Sequence, residues 1–527
     1  MKVHLLFETR DLDLACALPP GHEDLLCDLE LPALFRAMAG EDAFLYDIAM
    51  RVVLAGVEEP VEIRYRQEVL ADCLAHRDVV QRIYEVATAA LSVRRGAWRY
   101  GSDLPTAILS GALDQLQALT THLKALRAIA DAHLGTFESR GMRGFVCSVQ
   151  QDLDDAYFDA LGHHFAQLRF DDGHLMTASL DRDNSGTGYV LRRPIRSKAS
   201  WKERLGRSAR ETYWFSVSPR DQGAAQALST IVGRGINEVA NVAAQAADHV
   251  VRYFSTLRAE LGFYLACANL HDRLAARGVA LCVPEPRPWQ ETVLSCTGLR
   301  DVSLLLREDG PVVGNDVEAT GKTLVVVTGA NSGGKTTFLR SMGLAHLMLR
   351  CGLFVTADSF RASVCRQVFT HFARDEEAAM TSGRLDEELR RMSAIAGAVR
   401  PGSIVALNES FTATNEREGS EIARHVVRAL LACDIRVCFV SHLFDFAESV
   451  ARELSATTLF LRAPRRGTGA QDFRLEVGAP LATSFGEDVY RRLGGWLGEA
   501  GSSEHDGRAK ASGHREASRS GQAAGAT

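Results

Sequence analysis

The stretch LVVVTGANSGGKTTFLRSMGLAHLM, Leu324 to Met348, decides how this chain is read. Leu324 to Val327 is a short run of β-favouring apolar residues, a glycine-punctuated turn follows, and an apolar-periodic segment comes next, so the order is buried strand, loop, helix. Within it, Gly329 to Thr336 spells G-x-x-x-x-G-K-T, the pattern of a phosphate-binding P-loop. Glycines let backbone N–H groups turn inward around a triphosphate, while the following helix directs its positive N-terminal end at the same anion. On this reading Gly329, Ala330, Asn331, Ser332, Gly333, Gly334, Lys335, Thr336 and Thr337 bind ATP. Lys335 reaches the β and γ phosphates, and the Thr336 hydroxyl helps to hold a Mg²⁺ ion that keeps most of its waters.

Hydrolysis needs a metal-holding strand end and a group that orients water. SIVALNES, Ser403 to Ser410, supplies both: Ile404 to Leu407 reads as a parallel core strand next to the first, and such strands end at the ligand-binding edge of an open α/β sheet. Glu409 is then placed to orient the attacking water. Asn408 falls where this motif normally has Asp, and a neutral amide is a poorer Mg²⁺ ligand than a carboxylate. A third apolar strand, RVCFVSH, ends in Ser441 and His442, which puts an imidazole where it can sense the γ-phosphate. A lone histidine is more often structural, but the end of a third strand at this edge favours a catalytic one.

A chain of 527 residues has room for two to four domains, since single cores rarely grow past about 300 residues. Its 46% hydrophobic and 24% charged content is that of a soluble globular protein, and the net charge of −6 excludes a protein that coats nucleic acid generally, leaving room for a local basic patch. The eleven cysteines are scattered without a C-x-x-C pair, so they read as reduced core residues of a cytoplasmic protein. Glu8, Arg10, Asp11 and Asp13 break the N-terminal apolar stretch, which argues against a secretory signal, and no apolar run is long enough to span a membrane.

Upstream of the P-loop, residues 1 to about 45 carry little pattern, and from there to about 170 apolar residues recur at three- and four-residue spacing, predicting stacked helices. Two strands are expected around DNSGTG near 183–188. Leu191 to Arg210 then holds eight basic residues against the single acid Glu203, with Trp201 among them. Arg192, Arg193, Arg196, Lys198 and Lys202 are the candidate contacts to a DNA backbone, although the ordinary fate of a charge run is a solvated loop. Helical periodicity resumes near Gln226 and runs to Gly278, and Pro284, Pro286 and Pro288 mark a boundary. After about Glu499 the chain lacks the apolar content to fold and reads as a disordered tail.

These motifs, in this order, resemble the MutS family of DNA mismatch repair ATPases, a branch of the ABC-type fold. TGANSGGKTTFLR is similar to that family's TGPNMGGKST, and CGLFVTADSF fits its continuation. ALNESFTATNEREG at 406–419 has the length and layout of the DEIGRGTSxxDG block, and FVSHLFDF matches ATHxxEL. GNDV at 314–317 fits the asparagine-containing loop before the P-loop strand, and FRLEVGAPLATSFGEDVYRRLGG resembles the closing strand, SxGI segment and final helix. VEIRYRQEVLADCL and LRAELGFYLACANLHDRLA fit the lever region more loosely.

The resemblance implies an α/β P-loop ATPase domain at 291–498, preceded at 46–290 by a mainly helical lever and core with a small β-containing clamp insertion at about 170–225. Residues 1–45 form an N-terminal segment and 499–527 the tail. It implies an ATP- and Mg²⁺-dependent clamp that binds mismatched or branched DNA and works as a homodimer, with downstream repair proteins as further partners. Ala413, Thr414 and Asn415 fall where the family's subunits touch. It also implies a short member, with too little chain ahead of the lever for the mismatch-recognition and connector domains and without a C-terminal Smr-type nuclease. Gly383, beside Ser382, stands where a serine of the STFxxEM segment faces the partner's nucleotide, and Val312 where an aromatic often stacks on adenine. With Asn408, these departures point to a slow ATPase, or to a second reading: a scaffold that binds ATP with little turnover and recruits protein partners. A standalone ATPase that never touches DNA is the third.

Overall fold

The computed structural model describes residues 1–97, 104–170, 175–183, 186–192, 222–330, 333–374, 383–464 and 472–480. Its first part is helical: α1 (His22–Asp28), α2 (Leu31–Ala39), α3 (Ala43–Ala55), α4 (Pro60–Ala75), α5 (Arg77–Ala97), α6 (Pro105–Ala132), α7 (Arg140–Asp152) and α8 (Asp155–Leu168). The expected strand pair follows as β1 (Met176–Leu180) and β2 (Gly186–Leu191), antiparallel, with an irregularity between Thr177 and Ser179. Then comes α9 (Gln222–Ala275), whose 54 residues make a rod about 80 Å long at 1.5 Å per residue. Its first half packs Val232, Ile236, Ala240 and Ala243 on Leu109, Ala112 and Leu113 of α6, a satellite core, and its second half buries Phe254, Leu257, Leu261 and Tyr264 in the main core. One rigid element therefore joins the hairpin region to the centre of the molecule.

The second part holds β3 (Glu285–Arg287), β4 (Leu294–Leu299), α10 (Val302–Arg307), β5 (Asn315–Glu318), β6 (Leu324–Gly329), α11 (Lys335–Cys351), β7 (Ser359–Ser363) and β8 (Val368–Phe372). It continues through α12 (Arg384–Ala398), β9 (Ile404–Asn408), α13 (Glu416–Ala432), β10 (Arg436–Val440), α14 (Phe444–Glu453), β11 (Thr458–Ala463) and β12 (Glu476–Val477). The larger sheet has the order β12-β11-β6-β10-β9-β8, all parallel except β12, and the smaller is β3-β7-β4-β5. All six residues of β6 are buried. Val325 and Val327 face the main core beside Phe338 and Leu339 of α11, while Leu324 and Val326 face a second core with Met392, Val427 and Phe446 from α12, α13 and α14. Two-sided burial is why the strand reads as a continuous apolar run rather than an alternating one.

Two expectations are corrected. Ile404–Asn408 does not lie next to β6: β10 sits between them, pairing Val437 with Leu324 on one side and Arg436 with Ile404 on the other. Apolar periodicity identifies a buried strand but carries no information on its neighbour, which the crossover helix sets. The GNDV segment is also more than a loop, because Asn315–Glu318 forms β5, alternating buried and exposed residues against β4.

The N-terminal residues, which carry little pattern, are built into the core. Val3, Leu5, Leu6 and Phe7 are buried, and the carboxylate of Glu260 on α9, fully buried, accepts backbone N–H bonds from Leu5 (2.7 Å), Leu6 (3.1 Å) and Leu12 (2.7 Å). Burial pushes its pKa up to about 7 against the pull of those three donors. All eleven cysteines are free thiols, and among the described residues no helix is long and apolar enough to cross a membrane.

Candidate functional site

The parallel strands β6, β9 and β10 end on one edge, where β6 leads into the glycine-rich turn and β9 and β10 hand the chain to Glu409 and Ser441. After β6 the backbone turns sharply: Gly329 has φ 112°, and a Cβ there would lie 2.6 Å from the Ala463 carbonyl oxygen of β11. Gly334, φ 84°, is the last residue before α11. Only glycine takes both positions without strain. Lys335 opens α11, is 4% exposed, and donates from Nζ to the carbonyls of Gly329 (2.9 Å) and Ala330 (2.8 Å). Burial pulls its pKa down to about 8, with Glu409 opposing the shift. Asn331 and Ser332 lie outside the described residues.

The other wall comes from β9 and β10. Thr336 Oγ1 donates to Asn408 Oδ1 at 3.2 Å, so the helix start and the end of β9 meet through two oxygens. Oxygen donors of this kind suit a hard divalent cation, and Mg²⁺ characteristically takes one or two protein oxygens plus substrate phosphates and waters. Among the described residues there is no group of three or more His, Cys, Asp or Glu side chains that could hold a metal ion. Glu409 follows with φ 51°, and its Oε1 lies 2.7 Å from His442 Nε2. That hydrogen bond holds the Glu409 carboxyl below the usual carboxylate range. Gly333, Gly334, Lys335, Thr336, Thr337, Glu409 and His442 together line one cavity of about 690 Å³.

The same cavity has a second wall, of which only Val312 and Asn315 were singled out by the motifs. Leu304, Glu308, Val312, Val313, Asn315 and Phe473 line it. Asn315 works as a clip: its Oδ1 accepts Leu475 N–H (2.8 Å) and its Nδ2 donates to the Phe473 carbonyl (3.4 Å). This holds Phe473, φ 54° and 46% exposed, against the opening. The asparagine was visible in the GNDV motif, whereas nothing in the sequence around Phe473 marks an aromatic facing a glycine-rich loop 140 residues earlier.

The remaining candidates lie elsewhere. Arg192, just past β2, is exposed, its Nε donating to Thr177 Oγ1 at 3.0 Å, while Arg193, Arg196, Lys198 and Lys202 lie outside the described residues, as does Ser382. Gly383 precedes α12 and supplies no side-chain cap. Thr414 donates to Glu418, and Asn415 caps α13 by accepting the Glu418 N–H at 3.0 Å.

Comparison with known proteins divides along the same line as the fold. Residues 58–277 match the family model described as the MutS2 N-terminal domain, and 325–489 match MutS domain V. A DNA mismatch repair protein MutS from Chloroflexus aurantiacus is 30% identical over 151 residues, 27% of this chain and 15% of that protein. An Endonuclease MutS2 from Pelotomaculum thermopropionicum is 29% identical over 174 residues, 32% of this chain and 22% of that protein. MutS protein homolog 4 of Homo sapiens is 25% identical over 157 residues, 30% and 17% of the two chains. The aligned stretches thus span less than a quarter of the length of each relative.

Proposed function

This chain is a member of the MutS family, and from that premise we propose that it is an ATP-dependent DNA-binding clamp whose ABC-type P-loop domain, at 291–498, drives the helical lever at 46–290 and its insertion at about 170–225. The observation that carries the reading is one cavity that gathers Lys335, Thr336, Glu409 and His442, with Thr336 hydrogen-bonded to Asn408. In this reading the Gly329–Thr337 loop and the start of α11 bind the phosphates, with Asn331 and Ser332 part of the loop. Thr336 and Asn408 would hold Mg²⁺, which when bound would supply positive charge beside the transferred phosphoryl group. Glu409, kept ionised by His442, orients the attacking water, and Phe473 covers the base.

α9 suits coupling, because a continuous helix rooted in the core transmits a small rotation to its far end without absorbing it in loops. Arg192, Arg193, Arg196, Lys198 and Lys202 would then meet DNA phosphates, which position a protein without reading sequence. Two copies facing each other through Ala413, Thr414 and Asn415 form the working homodimer, and mismatched or branched DNA is the substrate proposed. The scaffold reading is favoured by one observation, the neutral amide of Asn408 in place of a carboxylate. Steady-state ATPase rates with no DNA, homoduplex, mismatched duplex and branched DNA separate the two. The clamp predicts turnover that changes with DNA structure, and ATP binding with no turnover on any DNA would establish the scaffold instead.

A further inference from the structure

Directly after Glu409 the chain makes a second left-handed step, at Phe411, φ 67°. A bulky side chain rarely adopts this conformation. Phe411 is nonetheless completely buried, so the surrounding groups must hold the backbone where it would not settle unaided. Those groups can be named. Glu388 of α12, 4% exposed, accepts the Phe411 N–H on Oε2 at 2.8 Å. The backbone carbonyl of the same Glu388 lies 2.9 Å from Nε2 of His371 on β8. Burial pulls the His371 pKa down to about 4, so near neutral pH the ring carries one proton. A carbonyl only accepts, which places that proton on Nε2 and makes Nδ1 an acceptor.

Ser410 Oγ then sits 2.7 Å from Nδ1 and 2.8 Å from the His371 carbonyl, its single proton held between two acceptors. The Phe411 ring stacks on the His371 ring, centroids 5.6 Å apart and 24° from parallel. The turn is therefore gripped at Ser410 through His371, at Phe411 through the Glu388 carboxylate, and at Glu409 itself by its N–H to the Val440 carbonyl (2.8 Å). The other oxygen of Glu388, Oε1, is buried without a hydrogen bond, with Arg384 Nε 3.8 Å away.

We propose that Glu388 is a positioning residue that holds the Glu409–Phe411 turn and through it aims the Glu409 carboxylate into the site. The proposal rests on the reading of Glu409 as the group that orients water. Without the Glu388 acceptor, the Phe411 peptide turns toward an ordinary conformation and carries Glu409 away from His442, leaving the Lys335 loop untouched.

The test uses the full chain with Glu388→Ala, Glu388→Gln and Ser410→Ala, reading nucleotide affinity, kcat and KM, and amide hydrogen exchange across residues 404–415. Glu388→Ala is expected to bind ATP within about threefold of the parent, to lose kcat by about thirtyfold or more, and to lose exchange protection in 404–415. Glu388→Gln, whose amide oxygen still accepts from Phe411, is expected to keep kcat within about threefold. Parent-like protection or parent-like kcat in Glu388→Ala overturns the proposal. So does an equal loss in the Ala and Gln variants with nucleotide binding lost as well, the signature of a merely structural residue. If Glu388→Ala does not fold, Ser410→Ala decides: a kcat loss of about tenfold supports the brace, and unchanged kcat overturns it. Failure of the underlying reading looks different, because Glu409→Gln would then turn over ATP like the parent.

Discussion

At the residue scale, the most informative side chains are those whose charge state the site has altered. Lys335 is nearly enclosed and has a pKa near 8, yet a bound triphosphate would surround it with negative charge and raise that value again. The proton is then held more tightly in the complex than in the free protein, so binding takes up a proton once the free lysine begins to lose its own. ATP affinity is expected to be level below about pH 7.5 and to weaken above about pH 8, approaching tenfold per pH unit. Calorimetric titrations at several pH values check this, and Lys335→Ala should show weak binding with no such dependence. Asn408 makes the complementary case. It keeps the oxygen that meets Thr336 but carries one negative charge fewer than an aspartate would beside the proposed Mg²⁺ position. Asn408→Asp is expected to raise kcat by about tenfold, roughly 1.4 kcal/mol of transition-state stabilisation, with ATP affinity little changed. A kcat equal to the parent's, measured alongside Glu409→Gln, would mean that the site is adapted to the amide.

At the element scale, β2 packs against α9, whose second half is buried in the main core, so what the β1–β2 hairpin touches is felt at the core. Arg192, exposed at the end of β2, opens the basic run. Neutralising Arg192, Arg193, Arg196 and Lys198 together should weaken DNA binding and flatten its dependence on log salt by about 3 to 4 units, at roughly 0.9 per phosphate contact. Fluorescence anisotropy across a salt series checks it, and identical slopes would make the run a solvated loop.

At the scale of the whole molecule, the first thirty residues act as a strap between the helical part and the sheets. Arg340 of α11 pairs with both Asp301 and Glu30, and Arg374 beyond β8 pairs with Asp24 of α1. The strap's other end is the Glu260 carboxylate with its three backbone donors. Glu260→Ala is expected to cost about 3 kcal/mol by urea unfolding, because it leaves buried N–H groups without an acceptor. Glu260→Gln should cost less, since its amide oxygen can keep the Leu5 and Leu6 pair that now shares Oε2. Equal losses would assign the effect to charge rather than to hydrogen bonding.

What the sequence determined by itself was local and periodic. The strand, turn and helix around Gly329–Thr336, the strand ends at Asn408 and Val440, and the helices from α3 to α9 follow from apolar spacing and from glycine, because those signals act over a few residues. The tertiary structure alone decided the rest. It placed β10 between β6 and β9, which brings His442 against Glu409. It also set Phe473 opposite Gly334, the N-terminal residues on Glu260, and Glu388 on Phe411. Each of these joins residues far apart in the chain through one to three hydrogen bonds or a contact, and a lone polar or aromatic residue has no period by which its partner can be found.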